Sequence, residues 1–452
     1  MMKARTLLGI IVLIPALLAA QTRTDEKKPV ELTLDKSIGI ALQQNTQVIL
    51  AENVVEGQQS NVLAAVGGLL PTLNASGSWS RQNLETTTVY IQGVGNLPFS
   101  QSSTSNSFRT SLSTGVTLFN GFANTSNLSG ARAASLSSQL SLDRTNQTVI
   151  LTTTQLYLNV LRTEQLLKVA QDNLKRSMRQ LERIEESNRI GAVALADVYR
   201  QQVVAGNDEV SVIQAKNNYD RAVADLVFYL GLNALDTYRF ADPAIPTDID
   251  ITEFQSVNAQ YLDVRALLDR ALEFRPDYQS AIENLNRAES GVTVARAGHF
   301  PTISAFASYG LSSPDVDKLR DNRAVTWGLN VSFPLFNGWQ VSNAVQQAEV
   351  DMKSAHETLD QSHRQIQVDL KKGLLDLEAT EKRVEVSQKS VQSAQEDRRI
   401  AEERYNLGAG TLLDLLTANA QSTTAISNKV NAVYDYILAK RQMEYYLGTL
   451  SH

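Results

Sequence analysis

Apolar residues recur every seven positions along two long stretches of this chain. The first stretch, residues 123–190, contains no proline and only one glycine, Gly130. A heptad spacing indicates coiled-coil contact, and a continuous helix of about 68 residues would be about 100 Å long. The heptad positions are Val160, Leu167, Leu174 and Leu181 in the first stretch, and Leu370, Leu377, Val384 and Val391 in the second.

Each long helical pattern stops at a glycine and is followed by a second, shorter helical pattern. Gly191 and Gly408 occupy the position of a left-handed helix stop. The return helices begin near Leu195 and Leu412. Each long helix and its return helix are therefore expected to form a helical hairpin. The predicted hairpins cover about 122–230 and 339–447.

Upstream of each helical hairpin, the period of the apolar residues changes to two. Residues 325–335 alternate between apolar and polar side chains, and residues 108–118 show the same pattern. Each copy therefore predicts a β-hairpin with one apolar face, at about 72–119 and 302–336, with about 10 residues per strand. Strands of that length tilted by about 45° span an outer membrane. A soluble sheet with one wet face fits the same alternation.

The two halves of the chain repeat each other in register. The motif LFNG at 118–121 recurs 217 positions later at 335–338, and YLG at 229–231 recurs with the same shift. Upstream the shift is 230, so the first copy has 13 extra residues. We assign them to an exposed loop within Leu84–Ser107, because this segment is rich in Ser, Thr and Asn. The predicted division is a signal peptide (1–20), a first repeat (21–231), an inter-repeat linker (232–257) and a second repeat (258–452).

The N-terminus has the pattern of a secretory signal peptide. Lys3 and Arg5 precede an apolar run, Leu7–Leu18, and two alanines follow the run. A retained membrane anchor is the alternative. Removal of this segment would change the net charge of the chain from −6 to about −8. The chain contains no cysteine, which excludes disulfides and thiol chemistry. Its net negative charge does not indicate nucleic-acid binding.

Two β-hairpins supply only four strands, which are too few to close a barrel. In a bilayer, each backbone group left unpaired at an open edge costs several kcal/mol. Membrane insertion would therefore require several copies of the chain to pool their strands. Three copies would give twelve strands, enough to enclose an aqueous lumen.

The order of these features resembles the TolC-type outer-membrane efflux and secretion ducts, over essentially the whole mature chain. The resemblance is carried by the two LFNG turns, by Leu70-Pro71 and Phe300-Pro301 before the hairpins, and by the residues around the two tips. It implies a mainly α protein with a membrane β part, built as a tandem repeat of long coiled-coil helical hairpins and four β-strands. The expected assembly is a homotrimer with a 12-stranded β-barrel on an α-helical barrel.

The resemblance also implies a function. We expect an outer-membrane exit duct of a tripartite efflux pump or type I secretion system, which passively conducts cargo from an inner-membrane transporter and a periplasmic adaptor. The protein would contact outer-membrane lipid and extend into the periplasm. A soluble periplasmic coiled-coil adaptor or scaffold is the alternative. Adaptors, however, carry a single helical hairpin, whereas this chain has two, each preceded by amphipathic strands.

The family pattern places the periplasmic gate at the helical tips. Residues matching Asp197 and Tyr405 belong to the bonds that keep the family's aperture closed, and Asp414 matches an acidic ring there. The alternative is that the two aspartates only stabilise the N-termini of their helices through the helix dipole. Gly410 stands where the family has an arginine partner, and Thr417 stands where it has a second acidic residue. Arg404 or Arg189 is therefore a candidate for a different bond that closes the aperture. The expected adaptor-contact positions are Gly191, Leu195, Gly408 and Leu412.

Catalytic, cofactor and metal chemistry are not predicted. The pattern contains no nucleophile elbow and no paired-carboxylate arrangement. His356 and His363 lie on one helical face, but seven residues separate them by about 10 Å along the axis, too far to share an ion.

Overall fold

The computed structural model describes residues 30–249, 254, 260–261 and 263–450 of the chain. The predicted signal peptide lies outside the described residues, as do several residues of the predicted linker. The part of the chain that is described contains no helix both long and apolar enough to cross a bilayer.

The described elements of the two halves follow a similar order. The first half contains β1 (Val30–Leu32), α1 (Leu34–Gln44), α2 (Thr46–Gly67), β2 (Thr72–Ile91), β3 (Gly95–Asn120), α3 (Ala123–Arg189), α4 (Leu195–Tyr229) and β4 (Tyr238–Phe240). The second half contains α5 (Val264–Phe274), α6 (Pro276–Ala297), β5 (Thr302–Ser313), β6 (Arg323–Ser332), α7 (Gln340–Asn406) and α8 (Leu412–Tyr446).

The long helices predicted from the heptads are confirmed. Helices α3 and α7 each contain 67 residues, so each is about 100 Å long. Both are preceded by a residue in the left-handed region, Phe122 (φ 68°) and Trp339 (φ 65°). Gly121 precedes Phe122, and a Cβ there would lie 2.9 Å from the carbonyl oxygen of Ala297. Glycine is therefore needed where the strand turns into α3 against the end of α6.

The heptad seam is buried to different degrees in the two halves. In α7 the heptad residues Leu370, Leu377 and Val384 are at most 2% exposed. In α3 the lower heptad residues Leu167, Leu174 and Leu181 are only half-buried, whereas Ser177 and Ile184, three residues after two of them, are buried. In the C-terminal part of α3, the buried face is therefore rotated toward the positions three residues after the heptad leucines. Helix α3 packs against α4, α2, α6 and α8, so more than one neighbour selects its buried face.

The strands form one antiparallel sheet in the order β2-β3-β5-β6. Trp79 pairs with Phe108, and Leu112 pairs with Tyr309. On β6 the alternating residues Val325, Trp327, Leu329 and Val331 are all more than 60% exposed. The described chain thus has a sheet with an exposed apolar face and with β2 and β6 as its edges.

The predicted loop at Leu84–Ser107 is wrong. The structure continues β2 to Ile91 and resumes pairing in β3 at Gly95, so most of the segment is a two-stranded extension of the hairpin. Gly93 lies in the turn at residues 92–94 and Gly95 begins β3; their φ values of 92° and 89° let the chain reverse in three residues. The prediction fails because a high Ser, Thr and Asn content is typical of a loop, whereas here both arms pair through their backbones.

A small parallel sheet ties the start of the chain to the inter-repeat segment. Strand β1 pairs with β4, and the hydroxyl of Tyr157 on α3 donates to the carbonyl of Leu32 at 2.9 Å. Asp242 accepts from the backbone N–H of Leu34 at 3.0 Å. Phe240 meets the ring of Tyr157 edge-on at 5.9 Å. These contacts fix the inter-repeat segment against the middle of α3.

An ionic cluster joins four helices below the strands. Arg275 is 3% exposed and donates to Asp277 at 2.6 Å and to Asp369 at 2.9 Å. Arg144 lies 3.7 Å from Asp277 and 3.7 Å above the ring of Tyr445. Burial opposes ionisation of Asp277, but the hydrogen bond from Arg275 and the charge of Arg144 outweigh it and lower its pKa. The cluster therefore holds Asp277 as a carboxylate.

Candidate functional site

The two helical tips are built by the same turn. At the first tip, Gly191 has φ 74° and the N–H of Ala192 donates to the carbonyl of Ser187 at 2.8 Å. At the second, Gly408 has φ 72° and the N–H of Ala409 donates to the carbonyl of Arg404 at 2.8 Å. Both glycines therefore end their helices in the left-handed conformation, as the sequence predicts.

The second tip is closed by a capping box. Thr411 accepts from the backbone N–H of Asp414 at 3.1 Å, and Asp414 accepts from the backbone N–H of Thr411 at 3.1 Å. The hydrogen bonds from the side chain and backbone of Thr411 lower the pKa of Asp414. Asp414 thus has the helix-terminus role that the sequence analysis left open for the aspartates.

Asp197 has different partners from Asp414. The helix cap before it is Ala194, which has no side-chain hydrogen bond to offer. The carboxylate of Asp197 instead accepts from Arg200 at 2.8 Å. This pair is exposed, so it contributes little stability and leaves the carboxylate accessible to other donors.

Tyr405 lies where the two helical hairpins meet. Its ring packs against a buried cluster formed by Ile184, Val198 and Leu412, which come from α3, α4 and α8. Burial raises the pKa of Tyr405, and the negative charge of Asp197 raises it further. Asp197 and Tyr405 are therefore electrostatically coupled across the two hairpins, and the tyrosine is protonated at neutral pH.

The other gate candidates are engaged within their own tips. Arg404 donates to the carbonyl of Ala409 at 3.3 Å, and Arg189 pairs with Glu186. A Cβ at Gly410 would lie 3.2 Å from the Cβ of Arg404, a tight approach. The residue that replaces the family's arginine thus sits against the end of α7, where a larger side chain would have to displace its neighbours.

The tip leucines differ in exposure. Leu195 is 53% exposed, whereas Leu412 is 5% exposed and belongs to the cluster around Tyr405. Leu413 is 64% exposed, so at the start of α8 the solvent-facing leucine is Leu413 and not Leu412. The sequence analysis did not single out Leu413, because the two adjacent leucines differ only in which face of α8 they occupy.

His356 has two acidic neighbours, Glu357 and Asp360, although from the sequence we expect no Glu or Asp to complete a known ligand spacing. Its Nδ1 lies 3.6 Å from Asp360, and the side-chain ligand atoms of His356, Glu357 and Asp360 lie within 4.8 Å of one another. All three residues are exposed. His363, which we expect on the same helical face as His356, contacts the ring of Tyr278. The spacing of four residues between His356 and Asp360 is the signal that could have found this group.

A sheet with an exposed apolar face leads into helical hairpins about 100 Å long with a turn at each tip, which is the architecture expected of the outer-membrane duct class. The chain belongs to the family described as "Outer membrane efflux protein", whose model matches residues 37–232 and 267–449. The predicted family and the predicted cell outer-membrane location are thereby confirmed.

Relatives and solved structures agree with this assignment. The chain is 26% identical over 326 residues to the outer membrane protein TolC of Escherichia coli, an alignment that covers 68% of this chain and 62% of that protein. The aligned part thus spans about three fifths of the length of that relative. The pyoverdine export outer membrane protein OpmQ of Pseudomonas putida is 25% identical over 400 residues, which cover 85% of this chain and 78% of that protein.

The fold matches solved outer-membrane channels. The CmeC channel of Campylobacter jejuni superposes with a TM-score of 0.77 at 20% identity, covering 92% of this chain and 85% of the other. The open state of the Neisseria gonorrhoeae MtrE channel superposes with a TM-score of 0.73 at 21% identity, covering 92% of this chain and 88% of the other. At these identities the likeness establishes the fold alone.

Proposed function

We propose that this chain is the outer-membrane exit duct of a tripartite efflux pump or a type I secretion system. In this role, a homotrimer conducts cargo passively from an inner-membrane transporter and a periplasmic adaptor to the exterior. The observation that carries the proposal is the four-stranded sheet, which ends in two edge strands and has an exposed apolar face. Its strands lead directly into the two long helices.

The two edges explain why the duct needs several copies. Strands β2 and β6 expose a row of backbone groups on their outer sides, and such groups are costly in lipid. Pairing β6 of one copy with β2 of the next satisfies both edges. Three copies close a 12-stranded barrel whose apolar face meets outer-membrane lipid and whose polar face lines water.

The division of the chain follows from the same proposal. Residues 1–20 direct export, the repeats at 21–231 and 258–452 each supply one β-hairpin and one helical hairpin, and 232–257 links them. Equal helix lengths support this division, since α3 and α7 both have 67 residues and α4 and α8 both have 35. The duct has no catalytic role, and its energy comes from the transporter.

The periplasmic tips form the gate and the adaptor contact. Tyr405 bridges the two hairpins through its ring, and the charge of Asp197 reaches it from the first hairpin. Asp414 fixes the start of α8 and presents its charge at the aperture. The turns at Gly191 and Gly408, together with Leu195, offer the adaptor an exposed surface, while Leu412 supports that surface from within.

Planar-bilayer recording combined with cell fractionation tests this function. The purified protein should form long-lived conducting channels, and the native chain should be recovered with outer membranes. Recovery in the soluble periplasm, with no conductance, would instead favour the adaptor or scaffold alternative. The extension of β2 and β3 past Trp79 gives a control, because its removal should shorten an extracellular ribbon and leave membrane recovery unchanged.

A further inference from the structure

The first β-hairpin extends past the second as a two-stranded ribbon. Strand β3 pairs with β5 from Phe108 onward, and β5 ends at Ser313, the residue opposite Phe108. Strands β2 and β3 nevertheless stay paired with each other as far as the turn at residues 92–94. We call residues 80–107 the ribbon. At about 3.3 Å per residue, its first arm, residues 80–91, is about 40 Å long.

The two faces of β2 change their polarity where the ribbon begins. The ring of Trp79 stacks on Phe108 with the ring centroids 6.4 Å apart, and aromatic residues mark the edges of the apolar band in outer-membrane barrels. Beyond Trp79 the same face continues with three exposed polar residues, Arg81, Asn83 and Glu85. The opposite face, which carries Ser76 and Ser78, continues to the exposed Leu84. The ribbon is therefore polar on its outer side and gains an apolar residue on its inner side.

The far end of the ribbon carries exposed apolar side chains. Tyr90 is 72% exposed and Val94 is 66% exposed, and Ile91 between them is exposed as well. A two-stranded hairpin has no core of its own and is only marginally stable in water. Contiguous apolar residues on such an exposed end indicate a surface that another molecule covers. A partner that packs on these three residues would therefore stabilise the whole ribbon.

Other copies of the chain are the partner that this arrangement favours. Pairing of β6 of one copy with β2 of the next would close the proposed barrel and place three ribbons around one external mouth. The inner face of each ribbon would then point toward the threefold axis. Three identical apolar ends would meet there at the same height, and contacts of this kind close on themselves about a threefold axis.

We propose that the three ribbons of a trimer converge over the axis and pack through Tyr90, Ile91 and Val94 into a cap on the external mouth. The proposal rests on the proposed function, because the trimer is what brings the ribbons together. Strand β5 ends at Ser313, so the gaps between the ribbons above this level stay open to water and ions. The cap therefore limits the size of the molecules that enter the duct from outside, at the end opposite the periplasmic tips.

Cysteine crosslinking tests the contact between the ribbon ends, and the chain has no cysteine of its own to interfere. Val94→Cys in isolated outer membranes, treated with a short bismaleimide linker, should give a crosslinked dimer band on a denaturing gel. Asn83→Cys is the matched control and should give no band, because Asn83 lies on the outer face of the ribbon and accepts from Thr104 there at 2.9 Å. Adding Tyr90→Ser and Ile91→Ser to Val94→Cys should abolish the band. An unchanged band would indicate chance collisions and overturn the proposal.

Access of reagents from outside tests whether the cap selects by size. In the proposed barrel Ser76 faces the lumen, where it shares a hydrogen bond of 2.8 Å with Ser111. In whole cells, a small membrane-impermeant maleimide should label Ser76→Cys, whereas a polymer-linked maleimide should not. A shortened chain lacks residues 82–105 and joins Arg81 to its ladder partner Asn106 through an Asn-Gly turn. The polymer-linked reagent should label Ser76→Cys in this shortened chain.

The native mass of the same preparations separates failure of the cap from failure of the duct. In an assembled trimer, absence of the Val94→Cys dimer band would overturn the cap and leave the duct in place. Labelling of Ser76→Cys by the polymer-linked reagent in the full-length trimer would do the same. A full-length chain that is monomeric in outer membranes would overturn both proposals. A trimer with the dimer band, and with polymer labelling only after shortening, is the result we expect.

Discussion

Thr411 and Asp414 hold each other through two reciprocal hydrogen bonds of 3.1 Å at the start of α8. The corresponding residues in the first repeat, 217 positions earlier, are Ala194 and Asp197. The side chain of alanine offers no acceptor, so the Asp197 N–H donates instead to the backbone carbonyl of Ala194 at 3.0 Å and the equivalent box does not form there. The difference between Thr411 and Ala194 thus decides the role of the aspartate. Asp414 caps its own helix, whereas Asp197 is available to another partner.

The capping box predicts a local loss of stability on substitution. Thr411→Ala should destabilise the start of α8 by about 0.5–2 kcal/mol, because an N-cap hydroxyl is lost. Amide hydrogen exchange at 412–415 should then accelerate, with little change in the middle of α8. Ala194→Thr is the matched control and should slow exchange at the start of α4. Identical exchange in Thr411→Ala and the wild type would show that the box is not stabilising.

The positions of Asp197 and Tyr405 at the tips predict that substituting both residues changes gating. Asp197→Ala combined with Tyr405→Phe should shift the tips toward an open state and raise single-channel conductance. Within one chain the two residues are coupled through the charge of Asp197. If each also bonds a neighbouring copy at the closed tip, a hydrogen bond to a charged group contributes about 1.5–3 kcal/mol, and a trimer would lose it three times. Phenylalanine keeps the ring that packs against Ile184 and Leu412, so assembly should be intact. Wild-type conductance in an assembled double variant would mean that these residues only shape the turns.

The two faces of β6 predict opposite responses to a charge. Leu329 and Val331 belong to the exposed apolar face, and Arg at either position should impair membrane assembly by about 2–4 kcal/mol near the midplane. Ser332 alternates with Val331 and therefore lies on the other face. Ser332→Arg should be tolerated, as judged by recovery of heat-resistant oligomer. Equal damage from both substitutions would contradict the assignment of the faces.

The ionic cluster around Arg275 predicts a pH dependence of stability. Because the pKa of Asp277 is lowered in the folded chain, its contribution is present above the unfolded pKa of about 3.9 and is lost as pH falls through the folded value. The melting temperature should therefore drop more steeply below about pH 4 in the wild type than in Asp277→Asn. Parallel curves for the two proteins would show that Asp277 contributes no linkage.

Long, periodic elements could be predicted from the sequence, whereas short or non-local ones could not. The heptads located α3 and α7 because an apolar seam that repeats every seven residues over many turns indicates a long coiled-coil helix. Strand β1 has three residues and pairs with β4 about 208 positions away, so no local pattern marks it. The arms of the hairpin extension at Leu84–Ser107 stabilise each other through backbone bonds, which composition does not reveal.

The candidate site was predicted as a set of positions and not as a set of contacts. The glycine stops at Gly191 and Gly408 follow from local backbone requirements, and the structure has both. The packing of Tyr405 against Ile184 joins residues more than 200 positions apart.

The native mass of the protein extracted from outer membranes in mild detergent tests the central claim most directly. Pooling of the edge strands β2 and β6 predicts a single species at three times the mass of the mature chain, because twelve strands close the barrel. A monodisperse monomer that retains its strands would contradict the account, since its two sheet edges would then be stable without a neighbouring copy.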